Sequence, residues 1–245
     1  MIDGPYPRFP EEPMKPRTPL SIAALTAAAA LVGCDPEPTG PLASKILAST
    51  PGASQSPNEL GPEICAFGQE FALDPGNAFY PLAPGSYWIL EGEEDETPLR
   101  LRIDVTEETE DVGGVTTRVV IETEWEYDDD AEEWELVEVS FNYFAGTADG
   151  TVCYFGEAVD DYEDGEIVSH EGAWRADEPG NHAGVFMPGE PRPGLKFQME
   201  GAPGVAEDRG KIVAIGPTTV PAGTFLATIR LREYNPLDEE KDYKV

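Results

Sequence analysis

The stretch LRLRIDVTEETEDVGGVTTRVVIETEWEY, residues 99–127, decides the fold class. Leu99, Leu101, Ile103 and Val105 share one parity, while Arg100, Arg102, Asp104 and Thr106 share the other. A period of two marks a strand with one apolar and one wetted face, because successive side chains leave a pleated backbone on opposite sides. Val115, Thr117, Val119, Ile121, Thr123, Trp125 and Tyr127 repeat the pattern. Between the two runs lies Val112-Gly113-Gly114, and glycine supplies the left-handed backbone that a tight hairpin needs. A three-residue loop there pairs positions whose numbers sum to 226. That register puts Leu101 opposite Trp125 and Val105 opposite Ile121 on the buried face, with Arg102 opposite Glu124 and Arg100 opposite Glu126 on the wet face.

The same pattern extends outward from this hairpin. Trp134 and Leu136 are even, whereas Val137, Val139, Phe141 and Tyr143 are odd, so a β-bulge is expected near Leu136–Val137. Further strands are predicted at Tyr87–Glu91, Val152–Phe155, Ile167–Trp174, Leu195–Met199, Lys211–Ile215 and Phe225–Arg232. Asp149-Gly150, Asp164-Gly165, Pro203-Gly204 and Ala222-Gly223 separate them as turns. No amphipathic helix of ten or more residues is legible. The predicted fold class is all-β, an antiparallel meander curling into a barrel or sandwich over residues 65–245. Most of Trp88, Trp125, Trp134, Trp174, Phe141 and Tyr143 are expected in its core.

Composition narrows the partners. Lys+Arg number 16 against 48 Asp+Glu, a formal net charge of −32. A protein that neutralises phosphates must present Lys and Arg, so nucleic acid is excluded as a ligand. Between Glu91 and Glu138 there are 20 acidic and 3 basic side chains. Such a run reads first as a solvating face and second as a collector of Ca²⁺, which takes several hard oxygen ligands. The calcium candidates are Asp128, Asp129 and Asp130 at a hairpin tip, and Asp160, Asp164 and Glu171. The latter three match positions 1, 5 and 12 of an EF-hand loop, but position 3 is Tyr162 and the flanks read as strands. A hairpin turn at Asp164-Gly165 is the favoured reading. No cofactor is otherwise indicated. His170 and His182 are the only imidazoles, and there is no nucleophile elbow, phosphate loop or dinucleotide fingerprint, so the chain reads as a non-enzyme.

The N-terminal region reads as an export signal. Met14-Lys15-Pro16-Arg17 is basic, and Leu20 to Val32 is an apolar run of 13 residues, short of the ~20 needed to span a bilayer. It ends in Leu31-Val32-Gly33-Cys34, which resembles the bacterial lipobox. The resemblance implies diacylglyceryl attachment at the Cys34 sulfur, cleavage before Cys34, and acylation of the new amino group. Residues 1–13 then read as a mis-assigned upstream start, 14–33 as the lipoprotein signal peptide, and 34–61 as a flexible Pro/Ser/Gly tether. The predicted location is the extracytoplasmic face of a bacterial cell membrane, with the membrane itself as partner through a covalent lipid anchor. An exported compartment permits a disulfide between Cys65 and Cys153. Sequence does not bring the two together, and two separate thiols are the favoured reading.

The segment Asn77-Ala78-Phe79-Tyr80-Pro81-Leu82-Ala83-Pro84-Gly85-Ser86-Tyr87-Trp88 is the most characteristic in the chain. After it come Tyr154-Phe155-Gly156-Glu157, Glu171-Gly172-Ala173-Trp174 and Pro203 to Asp208. This order resembles a family of uncharacterised bacterial lipoproteins and exported proteins. The resemblance implies an all-β exported domain with no established activity. Cys153 stands where that family has a bulky aromatic, and Asp242-Tyr243-Lys244-Val245 stops in mid-strand where its members continue, so the chain reads as C-terminally truncated. The expected function is a cell-envelope lipoprotein whose acidic β domain serves as a binding or structural module. A Ca²⁺-binding version is the alternative and a hydrolytic enzyme comes third.

Overall fold

The computed structural model describes residues 58–94, 97–128, 131–239 and 241–245, with the backbone alone at Glu94 and Asp242. Cys34, the lipobox-like Leu31-Val32-Gly33, the expected signal segment 14–33, Asp129 and Asp130 lie outside the described residues. The alternating runs form thirteen strands: β1 (Glu59–Leu60), β2 (Tyr87–Glu94), β3 (Thr97–Val112), β4 (Val115–Asp128), β5 (Glu133–Gly146), β6 (Val152–Glu163), β7 (Glu166–Ser169), β8 (Trp174–Arg175), β9 (Gly184–Met187), β10 (Lys196–Gln198), β11 (Arg209–Val220), β12 (Gly223–Tyr234) and β13 (Lys241–Lys244). One 3₁₀ turn, Pro62–Cys65, is the only helical element among the described residues.

These strands make two sheets. The larger runs β2-β3-β4-β5-β6-β7, with β8 and β9 also pairing with β6; the smaller runs β1-β10-β11-β12-β13. All pairings are antiparallel except β1 with β10. The large sheet does not close on itself, so the all-β reading resolves to a sandwich-like arrangement rather than a barrel. Val105, Val120, Phe144 and Tyr154 of the large sheet join Phe197, Ile212, Ile229 and Leu231 of the small one in a single core. Glu59 and Leu60, at the end of the segment 34–61 expected as a tether, pair with Lys196 and Phe197 instead.

The hairpin register differs from expectation. Gly113 and Gly114 adopt φ of 60° and 86° and form a two-residue turn, so Val112 faces Val115. Near the turn the paired numbers therefore sum to 227. Residues between Val105 and Thr109 then bulge, and beyond them Val105 faces Val120, Leu101 faces Glu124 and Arg100 faces Trp125. The physical reason is that a two-residue turn with both glycines left-handed matches strand twist, and the bulge then shifts the pairing by two. The expected bulge in β5 is present, since Glu124 faces Glu138 while Trp125 faces Leu136, leaving Val137 as the extra residue.

This shift puts glutamates on the interior side. Ile103 now shares a face with Glu122, and Ser140 and Asn142 are buried while Phe141 and Tyr143 are half-exposed. Trp125, Trp134 and Phe141 are thus a correction to the expected core; they lie half-exposed on the opposite face. There Arg100 stacks 4.3 Å from the centroid of Trp134 and bonds Glu91 across the β2–β3 ladder. Trp174, by contrast, is 3% exposed and belongs to the core.

Cys65 and Cys153 are disulfide-bonded, with their Cα atoms 5.6 Å apart, which corrects the two-thiol reading. The bond ties the 3₁₀ turn to β6. Phe67 and Phe71 then close over Phe155 at ring separations of 5.8 and 5.1 Å. Sequence could not show this because 88 positions separate the two cysteines and only the folded N-terminal segment brings them together.

Candidate functional site

Strand β6 is where the two environments part. Tyr154 faces Phe144 and Glu157 faces Asn142, both directed to the space between the sheets; Cys153 faces Ala145 on the other side. A bulge at Phe155–Gly156 preserves this, and Gly156, at φ 129°, leaves room where any Cβ would strike the Trp174 backbone. Trp174 can therefore pair directly with Glu157 and project to the same interior face.

Five carboxylates on different elements lie within reach of one another's field on that side. Glu122 comes from β4, Glu138 from β5, Glu157 from β6, Glu200 from the loop after β10, and Glu233 from β12. Burial is the first cause that raises Glu122, Glu138, Glu157 and Glu200, and repulsion from neighbouring carboxylates adds to it. Glu138 is pushed up to about 7 by burial, then by Asp161 and Glu122. Glu200 is pushed up to about 8 by burial and then by Asp208, whose N–H nonetheless bonds Glu200 Oε2. Burial lifts Glu157 well above the usual carboxylate range, and Glu200 lifts it further. Glu122 is raised by burial too, against the pull of Lys244.

A cation and an aromatic wall complete the site. Lys244 on β13 forms an ion pair with Glu233, which is 5% exposed as a residue, while the lysine side chain remains 35% exposed at the sheet edge. Tyr80, Phe144, Tyr154, Phe186 and Trp174 form a continuous aromatic set, with Phe144 stacked on Tyr154 at 4.7 Å and Trp174 edge-on to Tyr154 at 5.3 Å. Tyr154 Oη donates to Asn142 Oδ1 at 2.5 Å. Tyr80 Oη and Trp174 Nε1 are buried and have no hydrogen-bond partner. Each orphaned polar group of this kind costs about 1–3 kcal/mol, so packing alone gives no reason for it.

No family model, curated protein or solved structure matches this chain. The interior is therefore read from its own chemistry. Three of the characteristic segments meet in it: Tyr80 and Asn77, Tyr154 with Glu157, and Trp174. Asn77 explains part of the opening motif. Its Nδ2 donates to the carbonyls of Gly150 and Pro188, and its Oδ1 accepts the N–H groups of Phe79 and Tyr80, which fixes the Tyr80 backbone beside the aromatic set.

The described calcium candidates, Asp128, Asp160, Asp164 and Glu171, fall elsewhere and do not come together. Asp128 Oδ1 accepts the Ala131 N–H at its hairpin. Asp160 pairs with His170 at 2.9 Å, and Asp164 with Gly165 makes the β6–β7 turn at φ 51° and 77°, as the hairpin reading expected. Glu171 is exposed in the turn between β7 and β8. Among the described residues no group of three Asp, Glu, His or Cys side chains is placed to hold a metal ion. Sequence reasoning missed Glu122, Glu138, Glu157, Glu200 and Glu233 because it set the acidic parity of β4 in water. The signal available was the polar row Glu138, Ser140, Asn142 on β5, which alternation alone could not distinguish from a wet face.

Proposed function

We propose that this chain is a lipid-anchored, extracytoplasmic binding module whose ligand site is the acidic, aromatic-walled interior between the sheets. The observation that carries the binding reading is the set of five glutamates turned inward from different elements. Burying ionisable groups costs free energy unless they are paired, and an apolar row there would stabilise the sandwich better. Perturbed carboxylates gathered beside buried aromatics are a feature of functional sites. A binding role is favoured over catalysis because no nucleophile-base pair stands among these groups. His182 bonds the Ala183 carbonyl, and His170 engages Asp160 and the Val159 carbonyl.

The anchor reading is supported by the lipobox Leu31-Val32-Gly33-Cys34 and by the disulfide, which suits an oxidising compartment. With an anionic surface, the domain would stand off the bilayer on residues between Cys34 and Asn58. Fractionation of cells expressing Cys34→Ala tests it. Release of the variant into the soluble fraction is expected, and a variant that stays in the membrane fraction overturns the anchor.

A further inference from the structure

The small sheet has one face in the core and one in solvent. Phe197, Ile212 and Leu231 are buried in the core, so the residues that alternate with them face out. The register lines up Lys196, Lys211 and Arg232 across β10, β11 and β12 on that outer face, with Arg209 and Lys241 in the row on one side and Arg230 in the row on the other. Acids outnumber bases 48 to 16 in this chain, so carboxylates are at hand for most lysines and arginines. On this face only Arg209 has one near, Glu207 at 4.0 Å. Lys196, Lys211, Arg230, Arg232 and Lys241 form no ion pair among the described residues, whereas Arg100, Arg102 and Arg175 of the large sheet are each held by a carboxylate. Tyr243, in line with Arg232, is 52% exposed, and Lys241 lies 5.4 Å from the Tyr234 ring centroid.

A second, independent feature adjoins these cations. Residues 212–229, between Lys211 and Arg230, hold no Asp, Glu, Lys or Arg. They make up most of the β11–β12 hairpin, its turn included, and there Leu226 is 79% exposed and Ile215 is exposed as well. Cations without carboxylates beside apolar side chains without a core share one partner chemistry. An anionic bilayer offers phosphates to Lys and Arg and an acyl boundary to Leu and Ile, and tyrosine suits the headgroup level between them. A soluble polyanion would use the cations and leave Leu226 in water.

We propose that the outer face of the small sheet, together with the β11–β12 hairpin, is a docking surface for an anionic lipid bilayer. The net charge of −32 does not prevent this. Packed sheets lie about 10 Å apart, and the field of a charged bilayer decays over about 8 Å at physiological ionic strength. The face nearest the bilayer therefore decides the contact, and the repulsion that holds the acidic large sheet off the bilayer turns the small sheet toward it. The proposal does not need the Cys34 anchor, which would only keep a bilayer within reach.

The test is cosedimentation of the full-length Cys34→Ala chain with vesicles of mixed phosphatidylglycerol and phosphatidylcholine, and with vesicles of phosphatidylcholine alone, in about 0.1 M salt. Partition into the neutral vesicles measures what the apolar run Leu20–Val32 contributes by itself. Partition about tenfold stronger into the anionic vesicles is expected, since each basic residue at such a surface is worth about fivefold. Lys196→Gln combined with Arg230→Gln should remove most of that gain. Both side chains are exposed, and unchanged far-UV circular dichroism checks that the variant folds. Arg100→Gln combined with Arg102→Gln takes the same charge from the other sheet and should leave partition unchanged. Leu226→Ser should weaken it severalfold. Equal partition into the two kinds of vesicle, or an equal loss in the Arg100 and Arg102 variant, overturns the proposal. Anionic binding that Leu226→Ser leaves intact overturns it too, in favour of a soluble polyanion. Because the chain tested has no cysteine at position 34 to acylate, none of these outcomes depends on whether Cys34 anchors the native protein.

Discussion

The two faces of β6 carry opposite chemistry on adjacent residues. Cys153 and Phe155 are fully buried on one side, stapled to Cys65 and capped by Phe67 and Phe71. Tyr154 and Glu157 on the other side lie within the field of Glu122 and Glu200. The first face gains stability from apolar burial and a covalent link. The second gives stability up, because burial holds the Glu157 carboxyl well above the usual carboxylate range. A fold that does both on one strand keeps the face that holds it together apart from the face that costs it stability. Perturbing the two faces should then give effects that differ in size and in pH dependence.

The largest effect is expected from the stapled face. Cys65→Ala with Cys153→Ala opens a loop spanning 88 positions. In the chain-entropy model such a link contributes about 4–5 kcal/mol, so the melting temperature should drop by roughly 10–20 °C for a domain of this size. The drop should be nearly the same at pH 5 and pH 8, as no titrating group lies in the bond. Scanning calorimetry at both values checks it, and a loss confined to one pH would tie the disulfide to the acidic interior instead.

Sequence legibility follows the same division. Most of the longer strands, the β5 bulge at Val137 and the Asp164-Gly165 turn were readable, since each depends on local chemistry, but the strand expected over Ile167–Trp174 is two, β7 and β8, and β1 and β9 were not foreseen. The facing of the strands was not. A Gly113-Gly114 pair fits both a two- and a three-residue loop, and the bulge between Val105 and Thr109 has no glycine or proline to announce it. A shift of one residue moves every side chain to the other face. Glu122 was thereby read as wet and Trp125 as core, the reverse of what is found. The disulfide and the acidic interior shared one obstacle: each depends on residues far apart in the chain meeting in space.

An intermediate effect should appear as pH alone is varied. Glu138 and Glu200 sit at about 7 and about 8 when folded, against 4.5 for the ordinary carboxylate. Between those values the folded chain binds more protons than the unfolded one, so stability must fall as pH rises. Their contribution is complete below about pH 4.5 and is lost as pH climbs through 7 to 8. Two such groups are worth on the order of a few kcal/mol, and the melting temperature should decline by roughly 5–15 °C from pH 5 to pH 8.5 at constant ionic strength. A flat profile would show that these carboxylates are solvated, and the contrast between the faces of β6 would lose its acidic half.

The smallest effect is the most discriminating. General repulsion in a chain of net charge −32 also destabilises the compact state at high pH, so the slope alone does not locate its source. Glu200→Gln separates the two. The amide retains an oxygen for the Asp208 N–H but has no proton to lose, while the net charge changes by only one. If burial of Glu200 is the cause, the variant matches the parent at pH 5 and exceeds it by about 1–2 kcal/mol at pH 8.5, with a shallower slope between them. Were diffuse repulsion responsible, replacing an exposed acid such as Glu108 with Gln would give the same gain. Unequal gains, Glu200 well above Glu108, place the lost stability at the buried carboxyl rather than in the overall charge.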